Sequence, residues 1–508
     1  MKANNLIALN TAVIYVRIVI STITTLLSTR WVLLALGKED FGIYNLVAGL
    51  LAMLMFLNIS MTSASQRFLS YALGKNDGAL LKDTFYYSVV FHFFTGLIVL
   101  VLIESVGVAL LQYVLIIPEG KNGLAMFCLH SLSISTFFTV LTVPYNAVLL
   151  SHENVLFVSL VQIGESFVKL FISIVLLIYI GNRLKLYAVG ITLVPIISGC
   201  IYVYYCYRNY NEVRLKIKGI TNKPLLKSFV SFASWDMIGA TSRTLRTQGV
   251  SMLLNSFYGV AINAAYGIST QVNGQISFLS SAIITAARPQ IVKSEGEGNR
   301  ERSLAIAAMM CKSSFLLLCL FSIPLIIEMP FLLRIWLKEV PEYTISFTRL
   351  VVITCLVLQL SMGVSIPIDS VGKNKMMQII AGGMHFIVLP IGYLMLRLGM
   401  SPEMIFILII IEESIAIYFR LLISHRVTGL VISDFVRYTL APCVTIFVVV
   451  YLGVKLSISM LDVGFVRLMI DGVLSFVLII PLSYYYAFTN IERHKLNEII
   501  VSFMNKQF

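Results

Sequence analysis

The sequence has 508 residues, of which 58% are hydrophobic and 12% are charged, and its formal net charge is +13. Soluble domains carry roughly a quarter charged residues, so a soluble fold of this length could not bury so much apolar surface. The basic residues lie mostly in short loops between apolar runs, which indicates membrane topology rather than nucleic-acid binding. The composition therefore predicts an all-α polytopic membrane protein.

About fourteen segments are apolar enough, and close enough to the roughly 20 residues needed, to cross a bilayer. In chain order they are residues 8–35, 41–66, 84–112, 122–150, 154–180, 185–207, 229–255, 259–287, 304–327, 343–368, 376–397, 402–424, 434–455 and 464–487. The first segment follows Lys2 without a small-residue cleavage site, so we expect no removed signal peptide. No pair among the seven cysteines has CxxC spacing, which disfavours a metal site or a disulfide framework.

The loops predict the orientation of these segments. Loops after even-numbered segments are mostly basic, for example residues 67–82, 208–227 and 288–302, whereas loops after odd-numbered segments carry few basic residues. The loop after the fourth segment is an exception, because it has no basic residue. The positive-inside rule then places both termini in the cytoplasm.

The chain also contains an internal repeat. Residues 44–74, with ASQR before a glycine, correspond to residues 266–296, with AARP before a glycine. At nearly the same offset, VPYNAV at 143–148 corresponds to IPIDSV at 366–371. Two equivalent halves in a membrane suggest a transporter in which one lobe moves against the other around a central cavity.

The repeat predicts three parts. We expect an N-lobe of six spans at 1–222, a C-lobe of six spans at 223–433, and two extra C-terminal spans with a cytoplasmic tail at 434–508. Because each repeat has an even number of spans, the two lobes should be pseudo-symmetric about an axis along the membrane normal.

The long first helices, the repeated stretch from Tyr44 to Gly74, and the Pro144-x-Asn146 element resemble the polysaccharide flippase family of the multidrug/oligosaccharidyl-lipid/polysaccharide exporter superfamily. The resemblance covers about residues 1–430, and the two extra spans depart from the twelve of most members. It implies flipping of undecaprenyl-pyrophosphate-linked oligosaccharide across a bacterial cytoplasmic membrane, for O-antigen, capsule or exopolysaccharide. It also implies membrane lipids and other polysaccharide-assembly proteins as partners.

The resemblance further implies that the first helix of each lobe lines the cavity. These helices carry Arg17 and Arg30 in the N-lobe, and Asp236, Arg243 and Arg246 in the C-lobe. Guanidinium groups bind phosphate in a bidentate manner and keep their charge in a low dielectric. The four arginines are therefore candidate ligands for a diphosphate or an acidic sugar.

Simpler roles compete with these. Arg30 and Arg246 lie near the outer ends of their segments and could be interfacial anchors, while Asp236 could be a substrate ligand, a coupling-ion site or a counter-ion. The polar stretches that contain Gln66 and Gln271 suit either sugar contact in a wet cavity or hydrogen bonding between helices.

Intramembrane carboxylates are the candidates for coupling-ion binding. Glu165 stands four residues before Lys169, the spacing of an intrahelical ion pair, and a neutralising pair is the favoured interpretation over ion binding. Glu412 and its neighbour Glu413 should point in different directions, with at least one facing a partner or water. We assign Glu104 and Asp471 to structural or lipid-interface roles, and His92, His130 and His385 to packed core or interface positions.

No nucleotide-binding fingerprint is present, so H⁺, Na⁺ or the membrane potential would drive transport without a cofactor or metal. The first alternative is a cation-coupled multidrug exporter of the same superfamily, whose cavity should be lined by carboxylates and aromatic residues. A membrane-embedded polysaccharide polymerase or ligase is a weaker alternative, because no outer loop is long enough for a catalytic site.

Overall fold

The computed structural model describes residues 3–52, 55–113, 117, 120–214, 222–337, 340–494 and 497, and every regular element within these ranges is a helix. The α-helices in chain order are α1 Ala3–Ala52, α2 Met55–Gly74, α3 Gly78–Leu102, α4 Val108–Tyr113, α5 Asn122–Ser151, α6 Val155–Ile178, α7 Arg183–Asn209, α8 Lys223–Gly296, α9 Arg300–Leu337, α10 Thr344–Val371, α11 Asn374–Arg397, α12 Glu403–Thr428, α13 Ile432–Phe435, α14 Ala441–Ser457 and α15 Phe465–Leu482. Short π-helical segments join or extend some of them, at Ile103–Gly107, Val436–Leu440 and Ser483–Ala487.

The predicted all-helical membrane class is confirmed. Within the described residues, 10 helical stretches are long and apolar enough to cross a membrane. The predicted segments 41–66, 229–255, 259–287 and 402–424 are helical where the structure describes them, but they are absent from these ten. Polar side chains lower the hydropathy of the two segments within α8, and segment 402–424 carries Glu412, Glu413 and Arg420, features that are typical of helices that face protein or water rather than lipid. Segment 41–66 includes residues 53–54, which lie outside the described residues.

The two longest helices, α1 with 50 residues and α8 with 74, each contain a change of direction. In α1 the backbone leaves the helical conformation at Gly37, where φ is 75°, a value that glycine adopts without steric cost. In α8 the Tyr266 hydroxyl donates to the Thr247 carbonyl at 3.3 Å. An uninterrupted helix would separate these residues by about 28 Å, so α8 folds back on itself and contributes two antiparallel arms.

The chain divides into two compact units. Unit N comprises residues 12–237, and unit C comprises residues 1–11 with 238–508. The predicted division at residues 222 and 433 stays a prediction.

The two units repeat one packing pattern. In unit N, α5 packs against α3 and α7, and α6 packs against α7. In unit C, α10 packs against α9 and α12, and α11 packs against α12. The extra helices α14 and α15 pack against each other and against α9.

A proline explains the contacts of one partly buried arginine of unit C. Pro330 has no N–H, so the Ile326 carbonyl of α9 loses its usual partner four residues on. Arg349 of α10 donates its Nε to this carbonyl at 2.8 Å and its Nη2 to the Ile327 carbonyl at 3.3 Å. Arg349 therefore joins α9 to α10 where the helical hydrogen bonding of α9 is interrupted.

The segment after α7 is fastened to unit N by a histidine and a glutamate. His152 Nε2, at the end of α5, lies 2.6 Å from Glu212 Oε1, in a short 3₁₀ turn at Asn211–Val213. The ring of Tyr210 stacks on His152 at a centroid distance of 4.3 Å. Burial raises the pKa of Glu212, but the hydrogen bond from His152 and nearby positive charge outweigh it and hold that pKa below its ordinary value.

This contact predicts a loss of stability in acid. A depressed carboxyl pKa contributes stability that is complete above the unfolded value, about 4.3, and is lost as the pH falls through the folded value. We expect the thermal unfolding midpoint of the detergent-solubilised protein to fall across this range, and the Glu212→Gln variant to fall less. In His152→Ala the loss in acid should be smaller than in wild type, because burial without the hydrogen bond raises the folded pKa of Glu212 toward its unfolded value. Parallel curves for all three proteins would contradict the assignment.

Candidate functional site

Unit C holds a buried cluster of charged side chains from three helices. Arg246, on the first arm of α8, donates from Nη1 to Glu412 Oε2 and, at 3.0 Å, to Glu413 Oε1 on α12. On the other side of Glu412, His385 Nδ1 of α11 lies 2.9 Å from Oε1. Arg420 Nη2 contacts the remaining oxygen of Glu413 at 3.3 Å.

Both carboxylates of this cluster are almost completely buried, at 6% exposure for Glu412 and 2% for Glu413. The two arginines balance their charges, and Arg420 also donates to the Ser361 hydroxyl of α10 at 3.0 Å. Buried charges are tolerated only when they are paired and hydrogen-bonded. The cluster is therefore neutral as a whole when His385 is neutral, and its charge state depends on each member.

A polar cavity of about 150 Å³ adjoins the cluster. Arg246 and Glu413 form part of its wall, and the second arm of α8 adds Tyr266, Thr270 and Asn273. A water molecule occupies about 30 Å³ of liquid, so the cavity has room for several waters. Water there would give a proton or a small ion a route to the buried carboxylates.

Unit N places a different polar group on the corresponding helices. Arg17 of α1 donates from Nη1 to the side-chain amide oxygen of Gln162 on α6. One turn further along each helix, the hydroxyls of Ser21 and Ser166 are 3.0 Å apart. Tyr202 of α7 lies within electrostatic range of both Arg17 and Glu165. Arg17 is thus hydrogen-bonded to a neutral amide, whereas Arg246 is bonded to two carboxylates.

The two polar groups are equivalent in position. In each unit they join the first, fifth and sixth helices of the repeat, which are α1, α6 and α7 in unit N and the first arm of α8, α11 and α12 in unit C. The repeat in the sequence is therefore matched by a repeated placement of polar side chains, with carboxylates predominating in only one copy.

The other predicted site residues lie apart from these contacts. Arg30, Arg243 and Gln271 are exposed, and Asp236 is partly exposed. Gln66 is buried, and its backbone carbonyl accepts a hydrogen bond from Ser151 at 3.3 Å. Their roles in substrate binding, like those of Arg17 and Arg246, stay predictions.

One local expectation was wrong. Glu165 and Lys169 form no ion pair with each other in the described part of the chain, although their spacing predicts one.

A glycine permits close packing between α8 and α11. A Cβ at Gly239 would collide with the side chain of Gln378 from α11.

Sequence analysis assigned His385 to a packed position and did not single out Arg420 or Gln162. His385 lies 27 residues from Glu412, and Gln162 lies 145 residues from Arg17, so no local spacing links the partners. The sequence does indicate that each of these ionisable residues is unusual, because such residues are rare in apolar segments. It does not indicate which residue is the partner of which.

The cluster also contains a possible set of metal ligands, since donor atoms of His385, Glu412 and Glu413 lie within 4.8 Å of one another. Guanidinium groups of Arg246 and Arg420 already occupy oxygens of these carboxylates. A divalent cation would have to displace or approach two positive charges, whereas a proton can bind without displacing either. The donor set therefore suits a proton better than a divalent metal.

The solved structures to which this chain is similar include transporters. The chain is similar to an outward-facing multidrug resistance MATE family transporter of the MOP superfamily, with 13% identity over 84% of this chain and 97% of that one and a TM-score of 0.73. A MATE structure in the bent conformation gives 0.74 at 13% identity over 84% and 98%. No family model and no curated protein matches the sequence.

A further similar structure is a MOP superfamily transporter from Pyrococcus furiosus, with a TM-score of 0.72 and 14% identity over 86% of this chain and 97% of that one. Its description reports a binding pocket of reversed polarity and suggests a different function. The chain therefore has the fold of MATE transporters of the MOP superfamily, and its helices identify it as a multi-pass membrane protein.

Proposed function

We propose that this protein is a secondary exporter of the bacterial cytoplasmic membrane that is driven by a cation gradient. The buried cluster of Arg246, His385, Glu412 and Glu413 carries the proposal. Ionisable side chains inside a membrane protein are costly, and they mark ion and proton pathways far more often than they serve packing alone.

The coupling follows from the pairing of Arg246. Binding of a cation or proton to Glu412 neutralises one of the two carboxylates that hold Arg246, and this weakens the link between α8 and α12. A ligand shifts a conformational equilibrium only through its different affinity for the two states. A state in which Arg246 and Glu412 are separated would bind the cation more tightly, and alternating access would follow from that difference.

The favoured substrates are small organic molecules of the multidrug type. The named structural neighbours include a multidrug resistance transporter, and the carboxylate-containing cluster is the feature expected of the cation-coupled alternative. These two observations support a class of transporter. The particular compounds have to be identified by screening.

A lipid-linked oligosaccharide is the second candidate substrate, and Arg17 favours it. Its guanidinium is partly buried and hydrogen-bonded to the neutral Gln162 amide, so it retains positive charge for a diphosphate. This candidate would make the protein a flippase for undecaprenyl-pyrophosphate-linked oligosaccharide in polysaccharide biosynthesis.

Reconstituted protein can separate the two substrates. Proteoliposomes should be tested for pH-gradient-driven movement of a fluorescent organic cation and, in parallel, for flipping of a fluorescent polyprenyl-pyrophosphate disaccharide. Movement of the organic cation alone would support the exporter, and flipping of the diphosphate alone would support the flippase. Movement of neither compound in either direction, by protein that is folded and correctly inserted, would contradict both.

The Arg17→Gln variant provides a specific prediction for the flippase candidate. Hydrogen bonds to charged groups contribute about 1.5–3 kcal/mol, so loss of the guanidinium should reduce diphosphate flipping by about tenfold or more. Movement of the organic cation should be unchanged. Lys169→Gln, which removes an exposed cation of α6, is the matched control. Equal flipping by wild type and Arg17→Gln would remove Arg17 from the substrate site.

A further inference from the structure

The extra helix α15 carries a buried acid, Asp471, that takes no part in the ion pairs of the candidate functional site. Asp471 is 0% exposed and lies about 9 Å along α15 from its first residue. Its Oδ1 accepts a hydrogen bond from Ser475 at 3.2 Å. Its Oδ2 is buried and has no hydrogen-bond partner among the described residues.

A second buried acid, Glu328, is already paired with the nearby arginine, Arg467. Arg467 of α15 donates its Nε to Glu328 of α9 at 2.6 Å and its Nη1 to the Leu461 carbonyl at 3.2 Å. Glu328 is 1% exposed. Asp471 is within electrostatic range of both members of this pair, but it forms no ion pair with any of the described residues.

Asp471 is surrounded by several packed elements, which include α9, α14 and the π-helical segment Ser483–Ala487. Among the described ionisable groups of these elements and of α15 itself, Glu328 and Arg467 act on Asp471, whereas Cys443, Tyr451 and Lys455 of α14 and the tyrosines of the π-helical segment do not. An ionised Asp471 would therefore leave one net negative charge buried between two membrane helices. Such a charge costs several kcal/mol, and buried carboxyl groups avoid the cost by binding a proton.

We propose that Asp471 is a proton-binding site between α15 and α9, separate from the cluster of Arg246, Glu412 and Glu413. Sequence analysis gave Asp471 a structural or lipid-interface role. The geometry adds an unpartnered oxygen, complete burial and a neighbouring arginine that is bonded to another acid. A proton bound to Asp471 accounts for all three of these observations.

Dicyclohexylcarbodiimide tests the proposal because this apolar reagent reacts with protonated carboxyl groups in membrane proteins. The carboxyl O–H adds across one C=N bond, and the adduct rearranges to a stable N-acylurea without a leaving group. The full-length protein in detergent should be labelled at neutral pH, digested and mapped by mass spectrometry. We expect the adduct at Asp471 and little at Glu328, with labelling that decreases as the pH is raised.

Two variants sharpen this result. Asp471→Asn should lose the adduct and the fall in the thermal unfolding midpoint at rising pH, because the amide mimics the protonated acid, while the loss in acid that depends on Glu212 should remain. Glu328→Gln should reduce labelling of Asp471 several-fold, because Arg467 is then free to pair with the ionised form. Wild-type protein that is unlabelled at Asp471 overturns the proposal even if neither variant folds. Protection by Na⁺ or K⁺ at constant pH would overturn it in favour of a metal cation.

Discussion

Replacement of Arg246 with leucine is expected to lower the free energy of unfolding by about 3–5 kcal/mol, because removal of one partner leaves buried charge uncompensated. Glu412 would keep only His385, and Glu413 would keep only Arg420. The expected result is a large drop in the thermal unfolding midpoint of the detergent-solubilised protein, measured at neutral pH.

A second substitution tests whether the loss comes from charge or from packing. The double variant, Arg246→Leu with Glu412→Gln, removes the carboxylate of Glu412, which would otherwise lack its arginine partner. The Glu413–Arg420 pair remains. We expect this double variant to recover a substantial part of the lost stability, because a matched neutral replacement is far less costly than a broken pair. Arg426→Leu, at an exposed position of α12, is the control and should change stability little. A double variant no more stable than Arg246→Leu would show that Arg246 acts through packing.

The fold class followed from local information. Inside a bilayer, every backbone N–H and C=O needs a hydrogen-bond partner within the protein, so long apolar runs have to form helices. The helical class was therefore predicted from composition and run length. The less apolar segments, such as residues 229–287, were predicted from the same run length, and the alternation of basic and less basic loops supported their number. The reversal within α8 agrees with two segments there.

The partners in the candidate site could not be predicted in this way. Arg246 contacts Glu412 across 166 residues of sequence, and nothing local relates the two positions. The argument from positive charge placed Arg17 and Arg246 in one class, yet their surroundings differ because one repeat supplies Gln162 and the other supplies two glutamates. Equivalent positions in the two repeats therefore have different chemistry.

This difference assigns different tasks to the two units in the proposed mechanism. Unit C has carboxylates whose charge can be cancelled by a cation, and unit N has a guanidinium whose charge persists. A cation gradient would then act through unit C, whereas recognition of an anionic substrate would need unit N. Transport of a cationic substrate would not need Arg17. Removal of Arg17 should therefore reduce transport of the anionic substrate and leave transport of the cationic substrate unchanged.

The Glu412→Gln variant should separate the driving force from transport itself. The amide keeps the shape of the side chain but cannot bind a proton or attract a cation, so the gradient loses its effect on the conformational equilibrium. Coupling free energies are typically about 1–3 kcal/mol, or about 5–150-fold. We expect gradient-driven transport in proteoliposomes to fall within that range, while exchange of labelled for unlabelled substrate, which needs no gradient, continues. Glu403→Gln, at the first residue of α12 and outside the cluster, should leave both activities intact. Equal loss of driven transport and exchange in Glu412→Gln would mean that Glu412 maintains the structure or binds substrate, and the coupling site would then have to be sought elsewhere.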